Sequence, residues 1–92
     1  MKKLRPTTQF KKDYKKYRRF PDKVSALKVV LDLLQNDVEL PAKYYAHPLH
    51  GKYKGCLECH IESDYLLIWI DQECDIIDLV RLGSHSELFK NK

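Results

Sequence analysis

Tyr65-Leu66-Leu67-Ile68-Trp69-Ile70 is the longest apolar run in the chain, and its reading decides the fold. It falls far short of the ~20 residues a membrane-spanning helix needs. Rich in aromatic and branched residues and apolar at every position, it reads as a central strand covered on both faces. Upstream, across a Ser63-Asp64 turn, Leu57, Cys59 and Ile61 alternate with Cys56, Glu58, His60 and Glu62, the period of a half-buried strand. Downstream, Asp71-Gln72-Glu73 reads as a turn, and Asp75 to Leu82 as a further strand that Gly83-Ser84 stops. Ser84 is placed to cap a short terminal turn through Leu88 and Phe89.

Further out, the period changes to that of helices. Phe10, Tyr14 and Tyr17 form one stripe of a helix expected from Thr8 to Phe20, with Thr7 or Thr8 as N-cap. Pro21 ends it, and Asp22 is expected to cap a second helix carrying Val24, Leu27, Leu31 and Leu34. Asn36 to Pro48 reads as a connection, and Leu4 to Thr7 as an N-terminal strand. The expected fold is α+β: two N-terminal helices packed on one face of a three- to four-stranded, mainly antiparallel sheet, forming one domain over residues 1–92.

Ninety-two residues supply one small core, burying roughly 60–65% of the unfolded surface. No apolar h-region follows the first lysines, and an odd count of three cysteines argues against a secreted disulfide framework, so a reduced cytoplasmic protein without membrane attachment is expected. The net charge of +4 is unevenly spread: residues 1–28 hold eleven Lys/Arg against two Asp (+9), and residues 29–92 six against eleven Asp/Glu (−5). Such a basic block suits phosphate backbones or an acidic partner.

Three chemistries compete for the same central residues. Cys56-Leu57-Glu58-Cys59-His60 matches the spacing of c-type haem attachment, and the same cysteines with His60 and the His47/His50 pair resemble half a zinc site. Strand alternation opposes both, because residues three apart point to opposite faces. The third uses the face away from the core. Glu58 and His60 emerge together there, Asp64 follows at the turn, Arg81 and His85 close the last strand, and His47 lies in the loop entering the sheet. Imidazoles titrate nearest neutrality, so such a set supplies a base, an acid and a cation for a pentacovalent phosphorane. RNA carries its own nucleophile in the 2′-OH, and no metal or other cofactor is expected.

At these residues the chain resembles the YafQ branch of the RelE-like toxins, ribosome-dependent mRNA interferases of bacterial type II toxin–antitoxin modules. The resemblance spans nearly the whole chain and rests on Tyr44-Tyr45-Ala46-His47-Pro48-Leu49-His50-Gly51, on Cys59 to Ile68, and on Arg81-Leu82-Gly83-Ser84-His85-Ser86-Glu87-Leu88-Phe89. It implies a small RNase fold with helices on one side of the sheet, the active site on the other, and cleavage of mRNA in the ribosomal A site. It places family active-site positions on His47, His60, Asp64, His85 and Phe89, with Arg81 matching a family arginine suited to transition-state charge. Glu58 stands where relatives often carry aspartate. The implied partners are a DinJ-like antitoxin, and mRNA with the ribosome and its 16S rRNA through Lys11, Lys12, Lys15, Lys16, Arg18 and Arg19. The competing class is a non-enzymatic module in which the basic helices dock RNA or an acidic partner.

Overall fold

The computed structural model describes residues 1–72 and 74–89. Its strands are β1 (Lys3–Pro6), β2 (His47–Pro48), β3 (Leu57–Glu62), β4 (Tyr65–Gln72) and β5 (Ile76–Gly83); its helices are α1 (Thr8–Tyr17), α2 (Pro21–Gln35) and α3 (His85–Leu88). The sheet order is β1-β5-β4-β3-β2, with β1 parallel to β5 and every other pair antiparallel. Five strands replace the expected three or four. The N-terminal strand does form, and the connection supplies an additional two-residue edge strand at His47–Pro48. Proline fits that edge, where its missing N–H removes no ladder bond on the open side.

Strand β4 is central, as its two-sided apolarity requires, and Tyr65 through Trp69 are all buried. Its side chains feed two cores. Leu67 and Trp69 join Phe10, Leu27, Val30, Cys59, Ile77 and Leu79 under the helices, while Leu66 and Ile68 meet Tyr53, Cys56 and Leu88 on the other face. Each fully buried large side chain contributes about 1.5–3 kcal/mol.

Several element ends differ from the sequence reading. Helix α1 stops at Tyr17 rather than Phe20, because Pro21 holds the residue before it extended, with Phe20 at φ −109° and ψ 98°. Pro21 then opens α2 at its first position, so Phe20 is the N-cap and Asp22 lies within the first turn instead of capping. Asp71 and Gln72 extend β4 rather than turning; Glu73, the third residue of that expected turn, lies outside the described residues. Thr7 does cap α1, accepting from the Phe10 N–H at 3.1 Å while donating to the Val80 carbonyl at 3.2 Å. That second bond ties the start of α1 to β5, where the register with β4 shifts between Ile68 and Trp69. The structure thus has a helical face and a second face on which only α3 and short turns lie.

Candidate active site

Sheet register assembles the second face. His47 on β2 pairs with Glu58 on β3, and His60 stands two residues further along the same strand face. His85 is the first residue of α3, whose start is fixed by a capping box: Ser84 accepts from the Glu87 N–H, and the Glu87 carboxylate accepts from the Ser84 N–H. The result is a continuous series of rings. His47 and His60 have centroids 6.2 Å apart, His60 and His85 5.4 Å, and His85 and Phe89 6.4 Å. Phe89 also meets the Tyr53 ring edge-on at 5.7 Å.

Each end of the imidazole series is oriented by a carboxylate. Asp64 Oδ1 lies 2.7 Å from His85 Nδ1 and 2.8 Å from the His85 backbone nitrogen. The His85 backbone N–H, and then its ring, hold the Asp64 carboxyl below the usual carboxylate range. An ionised Asp64 fixes the hydrogen of His85 on Nδ1 and leaves Nε2 free to face a substrate. At the other end, His47 Nδ1 is 2.7 Å from the Tyr45 carbonyl, which can only accept, so Nδ1 carries a hydrogen. His47 Nε2 is 3.1 Å from Glu58 Oε1. Glu58 is 3% exposed, its Oε1 lies 3.7 Å from His60 Nε2, and its Oε2 has no hydrogen-bond partner.

Arg81 is placed differently. Its Nε and Nη2 donate to Asp13 on α1 at 2.8 and 3.2 Å, and its Nη1 donates to Tyr53 Oη at 3.2 Å. Burial alone would raise the Asp13 carboxyl, but the Arg81 guanidinium, the Leu82 N–H and Gln9 reverse this and hold it below its usual range. Arg81 is thus engaged in an ion pair with a buried acid, and it also lines a hollow with Lys16, Ser86, Glu87 and Phe89. Of the basic residues of α1, Lys11, Lys15 and Arg18 line a groove between α1 and α2 on the helical face, whereas Lys16 lies 3.6 Å from Glu87 and lines the hollow beside Phe89. Cys56 and Cys59 diverge as strand geometry requires, into the two separate cores. Burial pushes the Cys59 thiol up to about 12, which keeps it protonated at neutral pH.

Of the sequence-derived set, His47, His60, Asp64, His85 and Phe89 form the ring series with its carboxylate, and Arg81 stands beside its Phe89 end. Two contributors were not assigned roles in advance. Glu58 holds two histidines, a relation visible only once the short strand β2 puts His47 opposite it. Tyr45 packs against His47 at 4.7 Å and meets His60 edge-on at 5.6 Å, and its left-handed backbone has no sequence signal.

The chain is similar to known proteins over nearly its whole length. The family described as bacterial toxin of type II toxin-antitoxin system, YafQ, matches residues 2–90. The mRNA interferase toxin YafQ of Escherichia coli K12 is 35% identical over 82 residues, covering 88% of each chain. The E. coli DinJ-YafQ complex contains a chain of 32% identity that superposes with a TM-score of 0.84, over 97% of this chain and 99% of that one. A metal-bound toxin from Helicobacter pylori is 37% identical, with a TM-score of 0.87 over 97% of this chain and 100% of that one.

Proposed function

Because the chain belongs to the YafQ family of bacterial type II toxin–antitoxin toxins, we propose that it is an endoribonuclease that cuts mRNA in the ribosomal A site and so inhibits translation in the cytoplasm. The observation that carries this reading is the series of three imidazoles on an open sheet face, with a carboxylate orienting each end.

The reaction uses the substrate's own nucleophile. His60, in the middle of the series, takes the proton from the 2′-OH as it attacks the adjacent phosphorus. His85, aligned by Asp64 and entering the step with both ring nitrogens protonated, gives the Nε2 proton to the departing 5′-oxygen and keeps the Nδ1 one, leaving a 2′,3′-cyclic phosphate and a 5′-OH. Asp64 is a poor base because its own partners favour the ionised form, so its role is to orient His85. His47, held by Glu58, faces the phosphate oxygens where charge accumulates. Phe89 supports a base, and Arg81 acts at one remove, holding Tyr53 beneath Phe89 and the strand before His85. The ribosome supplies what so shallow a face lacks, an mRNA already held near the in-line geometry.

A DinJ-like antitoxin is the proposed partner, as in the E. coli complex. The groove between α1 and α2, about 620 Å³, has an apolar floor of Phe10, Tyr14 and Leu27 under a rim of Lys11, Lys15 and Arg18, which suits an acidic amphipathic segment. Lys12, Lys16 and Arg19 extend the same basic surface toward ribosomal RNA.

On programmed ribosomes, His60→Ala and His85→Ala should each cut mRNA about 100-fold or more slowly than wild type. EDTA should change neither rate nor folding. Wild-type rates in both variants would overturn the site assignment, and RNA binding without cleavage by the wild type would favour a non-enzymatic module.

A further inference from the structure

Tyr45 stands at the opposite end of the ring series from Phe89, and packing does not account for how it is held. Its backbone is left-handed, at φ 50° and ψ 51°, a conformation costly for any residue with a β-carbon. The single turn before it enforces this, with the Tyr45 N–H donating to the Ala42 carbonyl at 3.0 Å. Burial does not repay the cost, because Tyr45 is 64% exposed, more than either Phe20 or Phe89. What the conformation achieves is local. It aims the Tyr45 carbonyl at His47 Nδ1 and sets the ring against His47 and His60 while leaving most of it open. Beside the ring lies a hollow of about 380 Å³, with Lys43, His60 and Ser63 in its wall.

We propose that Tyr45 is a nucleobase-stacking residue, a second platform that takes the unpaired base on the side of the scissile phosphate away from Phe89. This rests on the reading of the site as an RNA-cleaving face. Single-stranded bases splay readily onto exposed aromatic rings, and such stacking tolerates any base because every base has a π-face. From Tyr45 through His60 and His85 to Phe89 the rings are spaced 5.6, 5.4 and 6.4 Å. Stacked neighbours in a strand lie only about 3.4 Å apart. Two bases seated on Tyr45 and Phe89 are therefore pulled out of mutual stacking, and the phosphate joining them is drawn across the imidazoles. Lys43, in the wall of the hollow, meets the next phosphate along the strand.

The test uses ribosomes programmed with mRNA carrying 2-aminopurine in the A-site codon, with and without a 2′-O-methyl group that blocks attack. Tyr45→Ala should raise KM roughly ten- to a hundredfold and change kcat less than about threefold. Tyr45→Phe should stay near wild type. Tyr45→Gly should share the KM defect while melting no lower than wild type, since glycine tolerates the left-handed backbone. On the uncleavable mRNA, wild type and His85→Ala should quench 2-aminopurine, and Tyr45→Ala should not. An unchanged KM in Tyr45→Ala, a loss confined to kcat, or quenching that survives the substitution would overturn the proposal. Failure of the wild type to cut would sink the endoribonuclease reading alone, because the quenching measurement still decides the role of Tyr45.

Discussion

Asp13 and Glu58 are the buried acids among the described residues, and they are kept in opposite ways. Asp13, 2% exposed, receives four donors: Gln9 Nε2, Arg81 Nε, Arg81 Nη2 and the Leu82 N–H. Every direction in which it can accept is used, and its partner's charge matches its own. Glu58 is as deeply buried but meets only imidazoles, through one oxygen, and its other oxygen meets nothing. A buried acceptor left unpaired costs about 1–3 kcal/mol. A saturated carboxylate fixes a fold, whereas an unsaturated one beside imidazoles keeps an acceptor open to a further donor. The first joins α1 to β5; the second belongs to the open face.

The largest effect should come from breaking the saturated pair. Asp13→Asn leaves the Arg81 guanidinium without its counter-charge, and should cost about 3–5 kcal/mol in denaturant unfolding. The sign of its pH dependence follows from the depressed Asp13 carboxyl. Its contribution is fully present above the ordinary carboxylate value of 3.8 and disappears as pH falls through the lower folded value. The wild type should therefore lose stability more steeply than Asp13→Asn below about pH 4. Equal stability of the two proteins at pH 7 would show that the pair contributes nothing.

Glu58→Gln should give the reverse pattern. The amide can donate to His47 Nε2 and keep the ring in place, but it removes the carboxylate charge beside the two imidazoles. Cleavage on ribosomes should slow about ten- to a hundredfold, while stability stays within about 1 kcal/mol of wild type because a buried charge has been removed. A stability loss as large as that of Asp13→Asn, with activity intact, would make the two acids alike and remove the distinction between them.

The same contrast separates what was legible in the sequence from what was not. Local periodicity identified β4 as central, put Glu58 and His60 on one face and Cys59 on the other, and placed Thr7 or Thr8 and Ser84 at helix starts. His47, His60, Asp64, His85 and Phe89 were gathered by motif. The partner of Arg81 was not legible because Asp13 lies 68 positions away on α1, a pairing no local pattern encodes. The contact of Glu58 with His47 was not legible because it depends on a two-residue strand, too short to show any alternation. The left-handed Tyr45 lacks the glycine or asparagine that would have announced it.

The smallest effect is expected where the two systems meet. Gly83 ends β5, between Leu82, whose N–H bonds Asp13, and Ser84, which caps the helix carrying His85. A β-carbon at Gly83 would sit 2.7 Å from Glu87 Oε1, the oxygen that accepts from both the Ser84 N–H and the Tyr17 hydroxyl. That carboxylate lies at the end of a flexible side chain, so it can turn aside, at the cost of the capping box and its tie to α1. Gly83→Ala should therefore lose about 1 kcal/mol, a drop of about 4–8 °C in Tm for a domain of this size. The core should be spared, because the Asp13–Arg81 bonds lie on the other side of Leu82. Cleavage should fall severalfold as His85 and Phe89 lose their fixed helix start, and hydrogen exchange should quicken in residues 84–89 but not along β4. Faster exchange along β4 as well would mean that the capping box belongs to the fold as much as the Asp13 pair does, and that the open face has no independently adjustable element.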